Sequence, residues 1–135
     1  MEDRRVLIDT SIIIDFLRKD KKDKTFLWKI KNNSTCFMSS ITFFELLSGV
    51  KTERHFEDLK KISKWIKSLN FDDNIAFIAA DIYKKLRKNN KIIDYRDIFI
   101  AATANYHNLI VATINKGHFE RIEDITLLNL DKDLP

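Results

Sequence analysis

Cysteine is almost missing from this chain: Cys36 is the single one in 135 residues. A lone thiol forms no intrachain disulfide and no thiolate-rich metal centre, and it suits a reducing compartment. Glycine occurs twice and proline once, at the last position. Linkers need such punctuation, so residues 1–135 read as one domain with few tight turns and many helices. Long apolar runs are missing too. No stretch approaches the ~20 apolar residues that cross a bilayer. The opening MEDRRVLIDTSIII starts with charges and reaches Asp9 after three apolar residues, too short an apolar core for a signal peptide. A cytoplasmic protein without membrane association is the expectation. A strongly basic arm is also absent. Lys and Arg number 24 against 20 Asp and Glu, a formal charge of +4, which is compatible with a polyanionic partner and does not demand one. What is present is a globular composition, 44% hydrophobic and 33% charged, in a length sufficient for one core.

Val6-Leu7-Ile8 is a short apolar run that suits a buried strand. Asp9-Thr10-Ser11 offers helix caps, and residues 12–17 read as the first helix. Residues 24–31 read as a second helix and 35–38 as a second strand. Ser39 or Ser40 can cap the helix running through Glu45 toward Gly49. Apolar residues at 59, 62, 66 and 69 form a helical stripe across 55–69. Ile75, Ile78, Ala79, Ile82 and Leu86 form another. Residues 95–106 are Ala-rich and helical, and 109–112 and 125–130 read as strands. Strands alternating with helices predict an α/β domain with a mainly parallel sheet of four to five strands. Ligands gather at the carboxyl ends of such strands. That rule singles out Asp9 after the first strand, and Thr113 and Asn115 after the 109–112 strand.

Three acids sit where acids are uncomfortable. Asp9 lies in VLIDTSIII and is either a helix cap or a functional carboxylate. Glu45 lies in ITFFELLSG, a helix with no fully polar face. Its carboxylate needs a buried ion pair or a metal, since leaving it unpaired costs several kcal/mol (roughly,). Asp97 lies in DYRDIFIAATA, where Asp94 is the expected N-cap and Asp97 a first-turn acid favoured by the helix dipole. If their elements are adjacent, the carboxylates converge and call for a cation. Oxygen donors without thiols or an imidazole cluster favour Mg²⁺ or Mn²⁺ over zinc.

LIDTSIIIDFL, SSITFFELLSG, DYRDIFIAATA and TINKGHF, in this order and spacing, resemble the PIN-domain pattern. The resemblance is nearest to the VapC-type toxins of VapBC toxin–antitoxin modules and runs from Val6 to about Leu130. It implies a three-layer α/β/α sandwich and an acidic pocket holding Mg²⁺ or Mn²⁺. It implies an endoribonuclease whose cut leaves a 5′-phosphate and a 3′-hydroxyl. Matched by motif, the metal-binding and catalytic acids are Asp9, Glu45 and Asp97. Ser11 takes a small polar position near the metal, and Thr113 and Asn115 take the T-x-N segment. The resemblance also implies an RNA substrate, a homodimer, and a VapB-type antitoxin whose C-terminal segment lies across the acidic pocket.

One position departs from the pattern. The family often carries a fourth acid before the Phe of the last segment, and here that position is His118. His118 is a metal ligand, a proton carrier or an exposed loop residue. The departure keeps open a catalytically weak module that binds RNA or protein, beside an RNA-processing endonuclease without an antitoxin. Arg18, Lys19, Lys21 and Lys22, near the Asp9 helix, are the candidates for phosphate contacts. Lys60, Lys61, Lys64 and Lys67 read as the solvated face of the 55–69 helix, and the basic run 84–91 as a helix C-terminus. Phe26, Trp28, Phe43, Phe56 and Trp65 line either the core or an antitoxin groove or dimer interface.

Overall fold

β1 (Arg4–Ile8) is buried on both faces because its last three residues are apolar. Val6 and Ile8 join one core cluster and Leu7 the other, as the two-residue repeat of a strand requires. The computed structural model describes residues 4–134. β1 pairs in parallel with β2 (Ser34–Ser39) on one side and with β4 (Ile110–Ala112) on the other, and β2 pairs in parallel with β3 (Ile66–Leu69). The order is β3-β2-β1-β4.

One face of this sheet is covered by α1 (Thr10–Arg18), α2 (Phe26–Lys31) and α4 (Glu53–Ile62). Ile12, Ile13, Phe16, Leu27, Ile30, Leu59 and Ile62 meet Val6, Ile8 and Met38 there. The other face carries α5 (Asp73–Lys88) and α6 (Tyr95–His107), with Ile75, Ile98 and Ala101 against Leu7 and Val111. The three layers are those of an α/β/α sandwich. α3 (Ser40–Gly49) leaves the end of β2 with Ser39 as its cap, the hydroxyl accepting from the Ile41 N–H at 3.0 Å. A one-turn helix, α7 (Lys116–Phe119), follows β4. Among the described residues no helix is long and apolar enough to cross a membrane.

The structure corrects the sequence reading in two elements. The 55–69 stripe is not one helix. α4 ends at Ile62, a turn follows, and Ile66 to Leu69 pair with Cys36 to Ser39 as β3. Ile66 then packs in one core and Leu69 against the other, which an α-helix would not do. Lys67 is therefore a strand residue, not part of a helical basic face. Residues 125–130 form a single bridge, Leu127 to Val111, rather than a strand. Phe26, Trp28, Phe43 and Trp65 lean on the first core, Trp65 edge-on to Phe16 and Trp28 at 5.7 and 6.1 Å, and Phe56 is exposed.

The scarcity of glycine has a local answer. The left-handed positions among the described residues fall on Asn90, Asn108 and Asp124, with φ of 55°, 55° and 63°. Asn108 closes α6, and the next N–H, of Leu109, returns to the Ala104 carbonyl at 2.9 Å. Asparagine tolerates this conformation best after glycine.

Candidate active site

The carboxyl ends of β1 and β4 lie side by side, so the chain leaves them as two adjacent loops. Asp9 follows β1 and is 2% exposed. It occupies the cap position of α1 without capping it. Its Oδ2 instead accepts from Ser11 Oγ at 2.8 Å and from Thr113 Oγ1 at 2.7 Å. Thr113 is buried, and its hydroxyl also accepts the Asn115 N–H at 2.9 Å. Ser11 Oγ accepts the Ile114 N–H at 3.1 Å. Two hydroxyls, one from the start of α1 and one from the loop after β4, thus hold one carboxylate and are themselves fixed by backbone N–H groups.

Glu45 comes from the middle of α3. Thr10 Oγ1 donates to its Oε1 at 3.0 Å and lies 3.1 Å from Thr42 Oγ1. Its Oε2 accepts from Arg96 Nη1 at 3.0 Å. An ion pair answers Glu45, but it is not the buried pair the sequence allowed: Glu45 is 17% exposed and Arg96 59%. Arg96 is the second residue of α6, after the cap Asp94, whose Oδ1 accepts the Arg96 N–H at 2.9 Å. The Arg96 fork also grips Asp94, holding that carboxyl below the usual range.

Asp97 is on the first turn of α6 beside Arg96. Burial pushes its carboxyl above the ordinary range; the hydrogen bond with His118 opposes this, and the negative charge of Asp9 adds to it. His118 Nδ1 lies 2.8 Å from Asp97 Oδ2. His118 sits on α7, half exposed, so it is not a loop bystander.

Asp9, Ser11, Glu45, Asp94, Arg96, Asp97, Asn115 and His118 all face one open cavity of about 280 Å³. The structure brings together the three acids, Ser11, Asn115 and His118, with Thr113 buried behind Asp9. Arg96, Asp94 and Thr10 belong to the same cavity and were missed. Asp94 and Thr10 had a signal only as helix caps; nothing marks an arginine that pairs across α3 and α6. The oxygen donors suit a hard divalent ion, and the mutual charge of Asp9 and Asp97 favours one. Among the described residues, however, no three Asp, Glu, His or Cys groups are already gathered around one point. The acids are answered by hydroxyls, Arg96 and His118.

The basic residues divide. Lys22 Nζ donates to the Phe16 and Leu17 carbonyls at 2.6 and 3.2 Å and lies 3.4 Å from Asp58. It seals the end of α1 and does not reach outward, which corrects its reading as a phosphate contact. Lys19 pairs with Asp15 at 2.7 Å. Arg18 and Lys21 are exposed. Arg18 borders an apolar trough of about 510 Å³ lined by Ile14, Leu17, Leu46 and Val50, with Glu45 at its edge.

Residues 6–125 match the family described as PIN domain. The chain is 30% identical to ribonuclease VapC1 of Methanocaldococcus jannaschii over 97% of its length and 90% of the relative's. It is 38% identical to ribonuclease VapC3 of the same organism over 71% of this chain and 94% of that one. A DNA-bound VapBC crystal structure from Salmonella typhimurium superposes with a TM-score of 0.84, 25% identity, and 94% and 98% of the two chains covered. The chain belongs to the PIN-domain family and, within it, to the VapC type.

Proposed function

We propose that this protein is the toxin of a type II toxin–antitoxin pair, a metal-dependent endoribonuclease that hydrolyses RNA phosphodiester bonds in the cytoplasm. The carrying observation is the convergence of Asp9, Glu45 and Asp97, from three separate elements, on one cavity beside the ends of β1 and β4. The relatives' names, ribonucleases and VapBC complexes, support the reading. It takes residues 1–135 as one catalytic domain.

In this reading Asp9, Glu45 and Asp97 hold Mg²⁺ or Mn²⁺. Such an ion lowers the pKa of bound water and polarises a phosphoryl oxygen. Ser11 and Thr113 fix the direction of the Asp9 carboxylate by fastening one of its oxygens. Asn115, its N–H held by Thr113, lines the cavity and orients the phosphate. His118 holds Asp97 in place and can carry a proton at Nδ1 or Nε2. Arg18, exposed at the rim of the neighbouring apolar trough, is the remaining candidate for a phosphate contact. The apolar trough next to Glu45 suits an amphipathic segment of a VapB-type antitoxin, which would then reach the acids.

The test is cleavage of total cellular RNA by purified, antitoxin-free protein with Mg²⁺, with Mn²⁺ and with chelator, beside Asp97→Asn. Discrete cuts that need the metal and vanish in the variant are expected. A folded wild type that leaves RNA intact under both metals would refute the reading.

A further inference from the structure

Arg96 lines the acid cavity, directly before the motif acid Asp97 in DYRDIFIAATA, but has no role in the pattern. Its guanidinium is used unevenly. Two nitrogens clasp Asp94, Nε to Oδ1 at 3.1 Å and Nη2 to Oδ2 at 3.0 Å. Asp94 is two residues away and caps the same helix, so this grip does not depend on α3. The third nitrogen, Nη1, crosses to α3 and takes Glu45 Oε2 at 3.0 Å. Glu45 is 17% exposed and Arg96 59%. One partner is thus fixed within the cavity wall, while the other reaches it from solvent.

We propose that Arg96 is the internal counter-ion of Glu45 and that a divalent cation displaces it, so that the ion pair and metal binding exclude each other. The proposal rests on reading this cavity as a metal site. A guanidinium on Oε2 takes up an oxygen the cation needs, and it places a positive charge beside an incoming one. The exchange is feasible because the pair is open to water on the arginine side, where ion pairs are weak. Arg96 released from Glu45 stays anchored to Asp94 and does not drift from the rim. Glu45 released from Arg96 keeps the Thr10 hydroxyl at 3.0 Å, so one oxygen stays positioned while the other changes partner. The protein carries its own competitor for the metal, and the affinity of the site is set by that competition.

The experiment measures Mn²⁺ binding to the full, RNA-free chain from the loss of the free-ion electron paramagnetic resonance signal. Arg96→Gln, Arg96→Lys, Glu45→Gln, the Glu45→Gln/Arg96→Gln double variant and Asp9→Asn are compared with wild type. Arg96→Gln is expected to bind Mn²⁺ about three- to ten-fold tighter, from loss of an ion pair and of a neighbouring like charge. Arg96→Lys, which keeps the charge, stays near wild type. In the Glu45→Gln background the gain from Arg96→Gln largely disappears. A merely structural arginine would not tighten the site when removed. Equal or weaker binding in Arg96→Gln, with binding still lost in Asp9→Asn, overturns the proposal and leaves the metal reading standing. No Mn²⁺ binding to wild type or Arg96→Gln at millimolar ion overturns both.

Discussion

Thr113→Val isolates the support of Asp9 from the rest of the fold. The two side chains have nearly the same volume, so the buried site is neither emptied nor overfilled. What changes is the hydroxyl. It donates to Asp9 Oδ2 at 2.7 Å and accepts the Asn115 N–H at 2.9 Å, in a position 1% exposed. A hydrogen bond to a charged group contributes about 1.5–3 kcal/mol. Stranding the Asn115 N–H adds to the loss, while Ser11 still answers Asp9, so the net is about 2–3 kcal/mol. For a domain of this length a kcal/mol moves the melting temperature by about 3–5 °C, so the drop is about 6–15 °C. Thr113→Ser keeps the hydroxyl and deletes one methyl group, which costs about 1 kcal/mol. Calorimetry on chelated protein compares the two. Cleavage of RNA should follow the same order, valine far below serine, because only valine frees the Asp9 carboxylate to turn. Thr113→Val melting at or above Thr113→Ser would refute the view that this hydroxyl fastens the acid.

Asp97→Asn tests the electrostatics from the other side. The Asp97 carboxyl titrates above its ordinary value, with burial the main cause, so the folded chain binds this proton more tightly than the unfolded chain. Its ionisation therefore destabilises the fold as pH rises through the carboxylate range. Metal-free Asp97→Asn should melt a few degrees above wild type at pH 7, with the gap closing as pH falls toward 4 (about the unperturbed Asp value,). An unchanged gap in thermal melts across that range would show that the charge is not the cause. Lys22→Met should lower stability by about 1–3 kcal/mol by uncapping α1 and leaving Asp58 without its ammonium. Lys21→Met should be neutral, and equal denaturant midpoints for the two would count against the assignment.

How much of this was legible depends on how local each cause is. β1 and α1 are written in consecutive residues: three apolar positions, then an acid and two hydroxyls. Glu45 was conspicuous because its helix gave it no polar face. β3 was hidden because Leu59, Ile62, Ile66 and Leu69 fall at spacings that a helix also satisfies. What decides for a strand is the pairing of Cys36 with Ile66 across the sheet, a fact of tertiary structure. Lys22 looked like its basic neighbours until the end of α1 was placed beside it. Arg96 was illegible for the same reason: its second partner, Glu45, is 51 residues away in the chain.

The acids are also held by residues that local pattern cannot find. Asp9 is fastened from the loop after β4, Glu45 from α1 and α6, and Asp97 from α7. Each carboxylate is thus neutralised or hydrogen-bonded by a different element from its own. In the case of Asp9 the local contact with Ser11 adds to this. Four acids facing one cavity would repel each other strongly without such answers. The acids of this cavity are therefore answered only when α1, α6, α7 and the loop after β4 are docked together. On the metal reading, a divalent ion would bring together acids that already face one cavity and would replace a weak, solvent-facing partner of Glu45, without assembling the fold around itself.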